Sequence, residues 1–291
     1  MKNKFLIGFL CFYVCSINSQ NKVITEYYEN GNISAEGYST EDNKRIGEWK
    51  WFYVNGTVGI SGEYEVENNK SVKVGDWKFY YQNGNLKDFI DYTSKEWIVY
   101  YENTEVMSKG KFIIHNGWDW KDGEWETFYD NGAKQRIETF DARKLMKIAY
   151  CVDSEGNSLD SGTLVNGNGV VKSYYKSGNL KNKKTYVEGL LEGECRLFYE
   201  KGTLKSSGYY SYYKTGEWYN FHENTQLYQA ELWDNGLQKI LSCYDGNGVE
   251  LDKGTLDYGD GTVRRYNEEG ELIKVEHYLY GRSIDKLDIG F

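Results

Sequence analysis

No proline occurs in this chain of 291 residues. Proline inside a sheet removes a donor from the hydrogen-bond ladder, so its absence fits a chain that is strand and tight turn almost throughout. Histidine is nearly as scarce. His115, His222 and His277 lie far apart, and none has the spacing of a metal site or a catalytic triad. No Gly-x-Ser-x-Gly, phosphate-loop or His-Glu-x-x-His sequence is present. These absences argue against an enzyme, a metal site or a bound cofactor. The apolar run at residues 5–14 is too short to cross a membrane as a helix, and no other segment is long and apolar enough to do so. Positive charge is in deficit as well. A net charge of −9 argues against nucleic acid and anionic membrane surfaces as partners.

What is abundant is aromatic and glycine. The chain holds 28 Tyr, 9 Trp and 32 Gly. Aromatic side chains suit a pleated, half-buried surface, and glycine suits tight turns.

The first residues read differently from the rest. Lys2 and Lys4 precede an apolar run of ten, Phe5 to Val14, and a small-residue exit ending at Ser19. This order is that of a cleaved secretory signal over residues 1–19. Neither Cys11 nor Cys15 follows the small-residue pattern of a lipid-anchored protein. Cleavage removes Lys2 and Lys4 and no acid, taking the net charge from −9 to −11. The expected location is therefore periplasmic, envelope-associated or secreted. Cys151, Cys195 and Cys243 remain. Cys195 takes the Trp position of a repeat described below, which predicts a small buried hydrophobe. Cys151 and Cys243 occupy matching places in two repeats, too far apart in a stacked array to be bridged.

One pattern recurs nine times. Its clearest copies are Gly47-Glu48-Trp49-Lys50-Trp51-Phe52-Tyr53-Val54-Asn55-Gly56 and Gly75-Asp76-Trp77-Lys78-Phe79-Tyr80-Tyr81-Gln82-Asn83-Gly84. Three residues beyond the Trp position stands an aromatic in all nine copies, from Tyr27 to Tyr266. The next residue is Tyr in seven copies, with His222 and Asn267 as exceptions. Alternate residues of a strand share a face, so Trp49 and Trp51 point one way and Phe52 the other. Asn-Gly between two such runs predicts a type I′ hairpin turn. The predicted fold is all-β: an elongated, twisted, single-layer antiparallel meander of about nine stacked hairpins. Residues 20–291 form one repeat domain, with no linker. A block at 151–180 has a second copy at 243–272, offset by 92 residues. It pairs Cys151 with Cys243, Gly162 with Gly254, Leu164 with Leu256 and Gly169 with Gly261.

The unit Gly-Glu-Trp-x-x-Tyr-Tyr-x-Asn-Gly-x-Leu resembles the MORN repeat. More narrowly it resembles the bacterial variant of YwqK-type proteins, often labelled antitoxins. The resemblance spans about residues 23–272. It implies a β-hairpin array used as a scaffold or binding surface, without a catalytic site.

An acid precedes the Trp position at Glu48, Asp76, Glu96, Glu124, Glu194 and Glu217. We read these as a solvated edge resisting aggregation, offset across strands by Lys50, Lys78 and Arg196. Asp153 to Asn157 and Asp245 to Gly248 read as Asx-Gly turns rather than Ca²⁺ loops. Exposed aromatics on a rigid sheet are good contact residues for proteins and sugars. The candidate binding residues are Trp51, Tyr53, Phe79, Tyr81, Tyr101, Tyr129, Tyr175 and Tyr199. The expected function is a non-enzymatic exported scaffold with a protein partner. The alternatives are a surface-glycan or peptidoglycan binder, or a toxin-neutralising protein.

Overall fold

The structure is a computed structural model that describes residues 21–284. The signal expected over residues 1–19 lies outside the described residues. The described chain is all-β, in three antiparallel meanders whose strands pair strictly in chain order. The first sheet holds β1 (Lys22–Tyr27), β2 (Ile33–Ser39), β3 (Arg45–Phe52), β4 (Val58–Glu67), β5 (Lys70–Tyr80), β6 (Leu86–Asp91), β7 (Glu96–Tyr100), β8 (Val106–His115), β9 (Trp118–Phe128), β10 (Lys134–Asp141) and β11 (Lys144–Cys151). The second holds β12 (Gly169–Tyr174), β13 (Leu180–Val187), β14 (Leu190–Phe198), β15 (Leu204–Ser211), β16 (Tyr213–Phe221), β17 (Leu227–Asp234) and β18 (Leu237–Cys243). The third holds β19 (Gly261–Tyr266), β20 (Leu272–Leu279) and β21 (Arg282–Ser283).

The aromatic repeats turn in a way the sequence reading did not anticipate. In the first, the Tyr28 N–H donates to the Asn32 carbonyl at 2.8 Å and the Gly31 N–H to the Tyr28 carbonyl at 2.9 Å. Gly31 has φ +86°, and Asn30 is not left-handed. This is a three-residue loop, a type I turn followed by one left-handed residue, not the expected type I′ turn. The Asn30 carboxamide oxygen accepts from the Asn32 N–H at 3.0 Å, an Asx turn. The reason is register. The ladder shifts just before the loop, between Glu26 and Tyr27 and again between Trp51 and Phe52, and that shift adds the third residue. Two-residue turns with both φ positive sit at the opposite edge, as at Asn68-Asn69, Asn116-Gly117, Glu188-Gly189 and Asn235-Gly236.

The same N–H to carbonyl closure, four residues apart, also occurs at Asp153 to Asn157 and Asp245 to Val249. These are degenerate copies inside the two long intervals, so the turns exceed the nine predicted. In both, one Asp carboxylate oxygen accepts two backbone N–H groups: Glu155 and Asn157 at 2.9 and 2.8 Å, and Asn247 and Val249 at 2.9 and 2.8 Å. Their turn chemistry is as read from the sequence.

The duplicated block marks the two sheet breaks. Each break is filled by an apolar cluster: Leu145, Leu164 and Val171 at the first, Ile240, Leu256 and Val263 at the second. Each is also spanned by an arginine. Arg136 on β10 donates to the Lys172 carbonyl on β12. Arg265 on β19 donates to the Gln229 side chain on β17 at 3.1 Å. The largest aromatic cluster lies in the first sheet, around Trp77, Ile90, Tyr92 and Phe112.

Candidate binding groove

Four of the nine indoles are each seated by three residues. Gly47, Gly75, Gly123 and Gly216 stand two residues before Trp49, Trp77, Trp125 and Trp218 with φ between +59° and +68°. A glycine in this conformation bulges the strand and aims the indole at the strand before it. There the ring lies against Gly37, Gly62, Gly110 or Gly208, where any Cβ would fall 2.2–2.5 Å from a ring atom. The indole N–H donates to the carbonyl one residue further on: Tyr38 at 2.8 Å, Glu63 at 3.2 Å, Lys111 at 2.7 Å and Tyr209 at 3.1 Å. The four rings are at most 2% exposed.

A cation completes the unit. Arg45, Lys73, Lys121 and Lys214 each stand four residues before their Trp and lie over its ring, at 4.8, 4.9, 4.0 and 4.2 Å from the centroid. Such contacts are electrostatically favourable. Burial nonetheless pushes the Lys121 and Lys214 amines below the usual lysine range, with Glu231 opposing the shift at Lys214. The basic residue at this spacing was visible in the sequence but not recognised there.

The predicted binding residues divide into two groups. Tyr53, Tyr81, Tyr101, Tyr129, Tyr175 and Tyr199 form a ladder along the turn edge. Each hydroxyl donates to a backbone carbonyl of the next repeat, at Tyr80, Tyr100, Phe128, Val152, Phe198 and Phe221, over 2.6–2.9 Å. His222 continues the ladder to the Tyr244 carbonyl at 3.0 Å. A parallel ladder runs from Asn32, Asn85, Asn103, Asn179 and Asn224 to carbonyls of the following turn, at 2.7–2.9 Å. The phenols therefore join repeat to repeat. Trp51 and Phe79 instead face a groove of about 690 Å³ on the first sheet.

Arg45, Tyr64, Lys73 and Trp118 also line this groove. Trp118 arrives from the tip of the β8–β9 hairpin. The Tyr92 hydroxyl holds that tip by donating to Asp119 at 2.5 Å, with Lys73 at 3.9 Å from the same carboxylate. Trp118 is 72% exposed. The sequence reading missed it because it follows a turn on the edge opposite the repeat turns. Trp51 lies between Trp49 and Trp77, with centroids at 5.6 and 5.9 Å and interplanar angles of 27° and 33°. Tyr64 meets Trp77 edge-on at 5.0 Å.

The acids before the Trp positions are exposed at Glu48, Asp76, Glu96, Glu124 and Glu217. Their pairing differs from that expected: Lys50 meets Glu48 at 3.1 Å and Arg196 meets Glu194 at 2.5 Å within one strand, not across strands. Cys151, Cys195 and Cys243 are buried free thiols. Burial pushes the Cys195 thiol up and that of Cys243 to about 11. Among the described residues no group of three His, Cys, Asp or Glu could hold a metal ion, and no helix is long and apolar enough to cross a membrane.

The MORN repeat variant profile matches residues 20–39, 73–88, 121–142, 168–188 and 191–212. The chain is a MORN-repeat protein. Its tyrosine ladder runs on through MORN-like turns that the profile does not match, including 101–105 and 222–226. No curated protein matches the chain. Solved structures with partial likeness are distant. Alternansucrase in complex with isomaltononaose is 13% identical over 86% of this chain and 18% of its own, with a TM-score of 0.16. The TcdB2-TccC3-TEV structure is 11% identical over 92% and 16%, with a TM-score of 0.18. CbpJ from Streptococcus pneumoniae TIGR4 is 13% identical over 87% and 100%, with a TM-score of 0.12. The chain spans less than a fifth of the length of the first two. At these TM-scores none carries an argument about this MORN-repeat chain.

Proposed function

We propose that the protein is a non-enzymatic, exported scaffold that engages another protein through the groove on its first sheet. The observation carrying this reading is Trp118, 72% exposed at the mouth of that groove. Exposed tryptophan beside an apolar wall and arginine is the composition of an interface hot spot. Export is supported by the basic, apolar and small-residue order of residues 1–19. A non-enzymatic role is supported by the scattered histidines and by the buried Cys195 and Cys243 thiols, which are shifted away from the reactive thiolate.

The test is cross-linking of tagged wild-type and Trp118→Ala protein in native cells, with envelope and cytosolic fractions analysed separately by mass spectrometry. The expected result is a specific envelope protein captured by the wild type and lost with Trp118→Ala, at unchanged thermal stability. A cytosolic toxin-like partner would support the neutralising role instead. Retention on insoluble cell wall without any protein partner would support a glycan binder.

A further inference from the structure

Within the scaffold reading, we propose that the groove receives an extended acidic segment of the partner protein, lying across the strands of the first sheet with carboxylates about three residues apart. The inference rests on that reading and on three observations.

The first is unspent positive charge. The Arg45 guanidinium lies over Trp49, Trp51 and Tyr64 at 4.8, 5.2 and 5.9 Å, and no described carboxylate comes within ion-pair distance of it. Lys73 lies over Trp77 and Tyr92, and its nearest carboxylate, Asp119, already accepts the Tyr92 hydroxyl. Lys95 sits over Tyr92 and Phe112, continuing the row of cations on rings. The acids preceding the Trp residues lie on the opposite face by strand alternation. On the aromatic face Asp88 is taken by the Trp97 indole and Glu138 by Arg136. Glu26 alone adds a carboxylate to the groove lining among the described residues.

The second is spacing. Adjacent hairpins are two strands apart, roughly 9.5 Å. A polyproline-like peptide has three residues per turn and rises about 3.1 Å per residue, so every third side chain returns to the same face. Side chains three residues apart therefore fall one hairpin apart, opposite Arg45 and then Lys73.

The third is the state of the rings. A sugar stacks on an open aromatic face. Here Trp51 is covered by Trp49 and Trp77, and a cation lies over Trp49 and over Trp77. What remains accessible is guanidinium and ammonium donors at the ring margins, which suit carboxylates. Trp118 remains exposed for an apolar residue of the same segment.

The probes are fluorescein-labelled 15-residue peptides: one with Asp at every third position among Ala, Leu and Phe, one scrambled, and one with Asn for each Asp. Fluorescence anisotropy against the full mature chain is read at 50 and 300 mM NaCl. The period-three acidic peptide is expected to bind about tenfold tighter than the Asn peptide and severalfold tighter than the scrambled one. Arg45→Gln and Lys73→Gln should each weaken it about fivefold and flatten the salt dependence. Equal binding of the Asn peptide, indifference to both substitutions, or displacement by polygalacturonate or anionic vesicles but not by unlabelled peptide would overturn the inference. Failure of every peptide, while Trp118→Ala still removes the cross-linked partner, would sink the acidic segment and leave the scaffold standing. Arg45-dependent peptide binding with partner capture indifferent to Trp118→Ala would do the reverse.

Discussion

The Tyr129 hydroxyl donates to the Val152 carbonyl at 2.8 Å from a buried position. Val152 immediately precedes the degenerate turn at 153–157, so this bond ties the last regular repeat of the first sheet to the first break. A buried carbonyl deprived of its donor costs about 1–3 kcal/mol. Tyr129→Phe should therefore lower unfolding stability by about that amount. Tyr28→Phe, at the half-exposed start of the ladder, should cost about 0.5–1 kcal/mol. Urea midpoints for the two variants check the order. Equal losses would show that burial does not set the value of the ladder.

Alkaline pH should attack the same ladder. Burial raises the phenol pKa of Tyr81, Tyr101, Tyr129 and Tyr199 above the ordinary value of 10.0, and likewise that of Tyr92, Tyr186 and Tyr228 inside the array. Between the unfolded and folded pKa values the folded state holds more protons, so stability falls as pH rises. Below pH 10 the phenols should leave stability flat. Above it they should lower stability together. Lys121 and Lys214, shifted down, act in the opposite sense, but the raised phenols outnumber them. Melting temperatures from pH 7 to 11.5, followed with phenolate absorbance, check this. A melting temperature that stays flat from pH 10 to 11.5 would contradict it.

Much of this architecture was legible because hairpin stacking is periodic. Trp49, Trp77 and Trp125 recur with Phe52, Tyr80 and Phe128 at one spacing, and the same register placed Cys195 in the core at 1% exposure. The match of Cys151 with Cys243 marked the duplicated block, but a single continuous meander was expected, and that the sheet breaks at each copy was not legible. The turn type was not legible. Asn-Gly suits a two-residue or a three-residue loop, and the ladder shift at Trp51 and Phe52 decides between them. The turns at Asp153 and Asp245 were legible as Asx turns but not as copies of the repeat, because Asp replaces the ladder Tyr. The groove was only half legible. Trp51 and Phe79 follow the repeat, whereas Trp118 becomes a neighbour only because the β8–β9 hairpin reaches Lys73 and Tyr92.

Gly110 lies opposite Trp97 on β7 and against Trp125 on β9. Its φ is not left-handed, so alanine meets no backbone objection there. The objection is the indole, 2.5 Å from where the methyl would lie. Gly110→Ala should cost about 1–3 kcal/mol, the range for overpacking. In a Trp125→Leu background the same change should cost less than about 0.5 kcal/mol, because the obstructing ring is gone. A double-mutant cycle by urea denaturation measures the coupling. Additive losses would show that Gly110 matters for some reason other than room for Trp125.

The first sheet break offers a test of cooperativity along the array. The Gly167 N–H donates to the Met146 carbonyl at 2.9 Å, the Gly189 N–H to the Gly167 carbonyl at 2.8 Å, and the Leu145 N–H to the Gly189 carbonyl at 2.9 Å. These bonds carry backbone pairing from the β10–β11 hairpin to the β13–β14 hairpin where the sheet itself is interrupted. The contact is so close that a Cβ on Gly189 would lie 2.6 Å from that of Lys144, and Gly189 has φ +77°. Gly189→Ala combines left-handed strain of roughly 1–2 kcal/mol with a steric clash. Repeat arrays unfold as one unit only while interfaces between neighbours are strong. Weakening this interface should separate the first sheet from the second. Trp49, Trp51, Trp77, Trp97, Trp118, Trp120 and Trp125 lie in the first sheet and only Trp218 and Trp233 in the second, so tryptophan fluorescence reports chiefly on the first. Far-ultraviolet circular dichroism reports on all strands. The two urea transitions should coincide in the wild type and diverge in Gly189→Ala. If they stay coincident in the variant while its midpoint falls, the sheets are coupled by more than these glycine contacts, with the Arg136 bond to Lys172 and the Leu164 cluster as the remaining links.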